Sequence, residues 1–167
     1  MTIDQLNRLN ETKAFEAFEQ CCGASRWVDR MIVGRPYEDL NEMLEISDRV
    51  WEECDVDDYQ EAFLQHQRMS ELGPKGWSGG DGSGNNADQG SFDQLAEADK
   101  KYEEKFGHIF VACATGKNPA EMLKMLGSRM ENTPEKEILI AAEEQNKITR
   151  MRLKKLLHTA SDSITSR

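Results

Sequence analysis

The chain has 167 residues and a net charge of −10, long enough for one domain with a sizeable core and too acidic for general binding to nucleic acid or an anionic membrane surface. No apolar run approaches the roughly 20 residues that span a bilayer, and the N-terminus lacks a basic-then-apolar signal pattern. The four cysteines, Cys21, Cys22, Cys54 and Cys113, include no CxxC pair. Neither a zinc cluster nor a disulfide framework is therefore indicated, and reduced, mostly buried thiols in a cytoplasmic protein are expected. The C-terminal Thr165-Ser166-Arg167 is not a peroxisomal address.

Helix signals run the length of the chain. Thr2 and Gln5 fit a capping box, with Ile3, Leu6 and Leu9 at helical spacing behind it. A second short helix carries Phe15 and Phe18 into the Cys21-Cys22-Gly23 break. A longer one begins soon after Pro36, with Leu40, Met43, Leu44, Ser47, Val50 and Trp51 along one stripe. Asp57 with Gln60 predicts the next cap, for a helix that holds Phe63 and ends near His66.

Seven of the twelve glycines then fall between residues 73 and 90, a backbone-permissive stretch that reads either as a surface loop or as a loop approaching a ligand. Ser91 with Gln94 predicts a further cap. Phe92, Leu95, Tyr102 and Phe106 follow it, and Gly107 is the expected stop. The apolar run from His108 to Ala114 is too short for pattern to decide, but a lone strand has no partner, so a buried helical or irregular segment is expected. Asn118-Pro119-Ala120-Glu121 is a strong helix start, with Met122, Met125, Leu126 and Met130 facing inward. Thr133-Pro134-Glu135 repeats that signal for a long last helix. Along one side of it run Ile138, Ala141, Ala142, Gln145, Ile148, Arg152 and Leu156. Lys147, Arg150, Arg152, Lys154 and Lys155 gather toward its end, where cations suit the helix dipole. No repeat period is visible, and the whole reads as a single all-α domain over residues 1–167, a compact multi-helix bundle.

Few residues offer chemistry by pattern alone. His66 titrates near neutrality and stands beside the glycine-rich stretch, which suits proton transfer. His108 and His158 have no metal-ligand spacing with each other or with His66. Cys113 lies in an apolar run without a patterned base, where a thiol is inert. There is no P-loop, dinucleotide fingerprint or HExxH, so no metal and no organic cofactor is implied.

Taken together, Phe18, Cys21-Cys22-Gly23-Ala24-Ser25, Trp27, Met31, Pro36, Trp51 and the AFxxH ending at His66 form one ordered series. It continues through YEEKFGHIFVACATGKNPAEMLKMLGSRMEN, from Tyr102, and EEQNKITRMRLKKLL, which ends at Leu157. This succession resembles the cofactor-free decarboxylases of uric acid breakdown, the 2-oxo-4-hydroxy-4-carboxy-5-ureidoimidazoline (OHCU) decarboxylases, over nearly all of the chain. The resemblance implies an all-α homodimer that converts OHCU to (S)-allantoin without a cofactor. It implies that His66 is the acid–base catalyst and that Arg152, within the family's KIxxxRL pattern, binds substrate through a forked, permanently charged donor.

After the histidine the family reads HPxIG and then WSxxEQ. Here His66 is followed by Gln67, and Trp77-Ser78 is followed by Asp81 in the glutamate's place. The alternative alignment sets Asp88-Gln89 on the Glu-Gln pair but loses the tryptophan. In the favoured alignment Asp81 is catalytic, holding the ureido nitrogens or orienting His66. Ser78 and Gln67 join Arg152 in binding substrate, and backbone groups of Phe110 to Cys113 finish the pocket wall. Arg129, before the family-like Met-x-Asn, is expected in a structural pair with an acid. The departures leave two further readings: a relative acting on another ureido acid, and a non-catalytic binding protein on the same fold. A carboxylate displaced by about 1 Å costs on the order of a hundredfold in rate.

Overall fold

The computed structural model describes residues 1–66, 89–114 and 117–165, with side chains described for all of these except 89–92 and 158–165. Gln67, Ser78 and Asp81, and nearly all of the glycine-rich stretch, lie outside the described residues. Those described form eight α-helices and no strand, as the periodicity predicts. They are α1 (Ile3–Arg8), α2 (Glu11–Glu19), α3 (Ser25–Val33), α4 (Leu40–Glu52), α5 (Val56–Leu64), α6 (Gln89–Phe106), α7 (Pro119–Arg129) and α8 (Pro134–Thr165). No helix among the described residues is long and apolar enough to cross a membrane.

Local chemistry explains most boundaries. The Thr2–Gln5 capping box opens α1, and the side chains of Asn10, Asp39 and Asn118 cap α2, α4 and α7. Gly107 takes φ +80° and returns its N–H to Glu103 O at 2.9 Å, the left-handed stop expected after α6. Two starts differ from expectation. α5 opens at an Asp55–Asp58 capping box rather than at Asp57–Gln60, because the earlier pair satisfies both of its backbone N–H groups reciprocally. α6 begins at Gln89, ahead of the cap expected at Ser91, so Gly90 is helical. The run from His108 to Ala114 is irregular, with Phe110, Val111 and Ala112 buried.

The chain divides into two compact units, residues 1–65 with 145–167, and residues 66–144; α8 gives its first turns to the second and the rest to the first. In the first unit α3 packs against α2, α4 and α5. Trp27 of α3 is fully buried, stands edge-on to Phe18 at 5.9 Å, and donates its indole N–H to Ser47 Oγ at 3.1 Å. That hydrogen bond accounts for a serine on the buried stripe of α4. Arg35 donates to the Leu6 and Leu9 carbonyls at 2.9 and 2.7 Å, closing the end of α1. In the second unit α6 packs on α7. Leu95, Tyr102, Phe110, Ala112, Met122 and Leu126 form its core.

Candidate functional site

His66 stands two residues beyond the end of α5 and is half-buried. The chain leading to it is fixed by its neighbour: the Gln65 side-chain amide donates to the Glu19 carbonyl at the end of α2. Gly23 makes that approach possible, since a Cβ there would stand 3.1 Å from Gln65 Cβ. At the start of α3 the Ser25 N–H and hydroxyl both donate to the Glu61 carboxylate, at 2.8 and 2.6 Å. The Cys21–Ser25 break and the last turn of α5 are thus tied at two points, which restrains the backbone that delivers the imidazole.

Arg152 is half-buried on α8 and lines an open cavity of about 440 Å³ with Met1, Gln20, Cys21, Lys155 and Leu156. This volume lies within the range of small-molecule sites. Arg152, singled out by the sequence, faces the cavity, and Lys155, one turn on, lines it as well. Arg150 is occupied differently. It donates to Asp48 Oδ2 at 2.6 Å, and Asn146 donates to the other oxygen at 3.0 Å.

The thiols nearby are not nucleophiles at neutral pH. Burial pushes Cys21 up to about 12, the Arg152 charge opposing and Cys22 adding to the rise. Burial raises Cys22 to about 11 against the Ala24 backbone, the Thr149 hydroxyl and Arg152, with Glu61 adding to the rise. Cys54 is raised to about 12, again chiefly by burial, and these three cysteines are buried as expected while Cys113 is half-buried.

The segment expected to complete a pocket wall is held by charged side chains. Arg129 donates to the Val111 carbonyl at 2.8 Å and is ion-paired with the fully buried Glu137 at 2.6 Å, which bears out the acid pair expected for it. Glu137 also accepts from the Tyr102 hydroxyl at 2.6 Å and from Asn132 at 3.1 Å, so its charge is amply compensated. Burial and Glu137 hold the Tyr102 phenol well above its usual range. The buried Glu144 accepts from Cys113 N at 3.0 Å, and Lys117 donates to the Cys113 carbonyl at 3.3 Å. Sequence reasoning missed Glu137 and Glu144. Only their place on the apolar side of α8 signals them. Among the described residues no three His, Cys, Asp or Glu side chains are grouped to hold a metal ion.

Comparison with known proteins places this arrangement. A model of the OHCU decarboxylases matches residues 7–154. The "Uric acid degradation bifunctional protein TTL" of Arabidopsis thaliana is 32% identical over 150 residues, 84% of this chain and 46% of that protein. A 2-oxo-4-hydroxy-4-carboxy-5-ureidoimidazoline decarboxylase of Amia calva is 36% identical over 70 residues, 42% of this chain and 40% of that one. The chain thus spans less than half the length of either curated relative. An OHCU decarboxylase crystallised in the presence of (S)-allantoin shares the fold with a TM-score of 0.75 and 33% identity, over 84% of this chain and 96% of that one. Sequence and fold agree across both units, and the chain belongs to the OHCU decarboxylase family.

Proposed function

We propose that this protein decarboxylates OHCU to (S)-allantoin without a cofactor, as one catalytic domain, a cytoplasmic homodimer acting on a small molecule. The observation that carries the reading is the likeness, at 33% identity and over 96% of its length, to a decarboxylase solved with (S)-allantoin. The family match from residue 7 to 154 includes both His66 and Arg152.

The substrate makes such an economical site sufficient. The carbon bearing the carboxylate neighbours an imine, so the electron pair of the breaking C–C bond moves into that imine as CO₂ leaves. A proton then goes to the carbon bearing the ureido group. The chain need only bind, orient, exclude water and move protons. His66 manages the substrate hydroxyl and the proton as acid–base catalyst. Asp81 holds the ureido nitrogens or orients His66, Ser78 and Gln67 hydrogen-bond the ligand, and Arg152 anchors a carbonyl or carboxylate. Backbone groups of Phe110 to Cys113, held by Arg129 and Glu144, close the wall. Proton delivery to one face yields one enantiomer.

Freshly generated OHCU, followed by its ultraviolet decay, tests the reading. The wild-type chain is expected to accelerate the decay above the spontaneous rate, and His66→Ala to lose that acceleration by on the order of 10² to 10⁴-fold. Binding of (S)-allantoin without any turnover would instead identify a non-catalytic member of the family.

A further inference from the structure

We propose that Arg129 and Glu144 are positioning residues for substrate binding, because together they orient the two peptide planes that flank Ala112. The inference rests on the reading above, in which backbone groups of Phe110 to Cys113 line the pocket.

The run from His108 to Ala114 has neither helix nor strand to fix its backbone. Two buried charged side chains do so instead. Arg129 Nη1 donates to the Val111 carbonyl at 2.8 Å, and Glu144 Oε1 accepts from Cys113 N at 3.0 Å. The planar guanidinium is itself clamped. Its Nε stands 3.1 and 2.7 Å from the two Glu137 oxygens, and its Cζ lies 4.5 Å from the Phe110 ring centre. Tyr102 and Asn132 hold the Glu137 carboxylate in turn, at 2.6 and 3.1 Å. A chain of contacts thus ends on one carbonyl oxygen.

Peptide geometry carries this to Ala112. Both of its peptide bonds are trans, and in a trans peptide the N–H points opposite to the preceding carbonyl. With the Val111 carbonyl turned to Arg129, the Ala112 N–H points away from that side chain. With the Cys113 N–H turned to Glu144, the Ala112 carbonyl points away from Glu144. Ala112 is 2% exposed, and among the described residues neither of these two groups has a hydrogen-bond partner. A buried backbone donor and acceptor need partners from beyond these residues, which a bound substrate supplies. They fit a carbonyl and an N–H carried side by side, as in a urea or a ring amide. OHCU has both, and both survive the loss of CO₂. Contacts made alike in substrate, transition state and product act on KM and on product affinity rather than on kcat.

Three variants test the roles. Arg129→Lys keeps a cation beside Glu137 but loses the fork that also reaches Val111. Glu144→Ala loses the acceptor that Glu144→Gln keeps. By calorimetry, Arg129→Lys and Glu144→Ala should bind (S)-allantoin about five- to tenfold more weakly than the wild type, the worth of one hydrogen bond. KM for OHCU should rise alike, with kcat changed less than about twofold. Glu144→Gln should stay near the wild type. In amide NMR the Ala112 N–H of the wild type should shift on addition of (S)-allantoin, and that shift should shrink in Arg129→Lys and Glu144→Ala. Asn118→Ala, which removes the cap of α7 in the same unit, is the control for lost stability. Full allantoin affinity in folded Arg129→Lys and Glu144→Ala overturns the proposal. So does an equal loss in Asn118→Ala, or a fall in kcat with KM unchanged. If the allantoin effects appear in a chain that does not decarboxylate, the positioning roles stand and the proposed activity falls.

Discussion

At the scale of single residues, Gly23 and Gln65 decide how the chain arrives at His66. A methyl group at position 23 meets the Gln65 side chain at 3.1 to 3.3 Å, so Gly23→Ala displaces the amide that Glu19 holds. Overpacking of this kind costs about 1–3 kcal/mol. Thermal denaturation should show the loss, with decarboxylation reduced more than the fraction folded accounts for. Retention of full activity would separate Gly23 from the site. The buried thiols make a second prediction. Cys21, Cys22 and Cys54 are raised from 9.0 to about 12, 11 and 12. Below pH 9 both folded and unfolded chains keep these protons. Between about pH 9 and 12 only the folded chain does, so stability falls as pH rises, by up to about 1.4 kcal/mol per pH unit for each thiol. Urea unfolding across that range should give a shallower slope for Cys54→Ala than for the wild type. The acid pair expected for Arg129 is borne out in Glu137, whereas the roles read for His66 and Arg152 rest on their motifs alone.

Among the elements, α3 shows what sequence patterns leave out. Ala24 stands at its N-cap and makes no side-chain cap bond, so no local signal announces the helix, and none was expected over residues 25–33. The cap comes from Glu61, thirty-six residues away. Glu61→Ala is expected to destabilise the fold by about 1 kcal/mol, the worth of an N-cap, and Glu61→Gln by less. Equal denaturation midpoints for wild type and Glu61→Ala would contradict this. The Arg129–Glu137 pair carries a larger effect. Glu137→Ala leaves a buried guanidinium uncompensated and should cost about 3–5 kcal/mol, measured by chemical denaturation. By contrast α1, α4, α7 and the Gly107 stop were readable, since their caps and apolar stripes lie within one or two turns of sequence. The start of α5 was misplaced by two residues and that of α6 by three, because chains rich in Asp, Ser and Gln offer several cap pairs in a row.

At the scale of the whole molecule, the helical class follows from periodicity, whereas the division into residues 1–65 with 145–167 and residues 66–144 has no compositional mark. The reason is α8, a single helix that contributes residues to both units. A helix shared in this way couples their folding, so urea unfolding monitored by tryptophan fluorescence and by circular dichroism should give coincident transitions. The activity proposed for the molecule is tested most directly by the handedness of its product. Freshly made OHCU, incubated with the wild-type chain and followed by circular dichroism, should give (S)-allantoin in large excess, and His66→Ala should give the racemate at the spontaneous rate. Racemic allantoin from the wild-type chain, formed no faster than in buffer, would contradict the account.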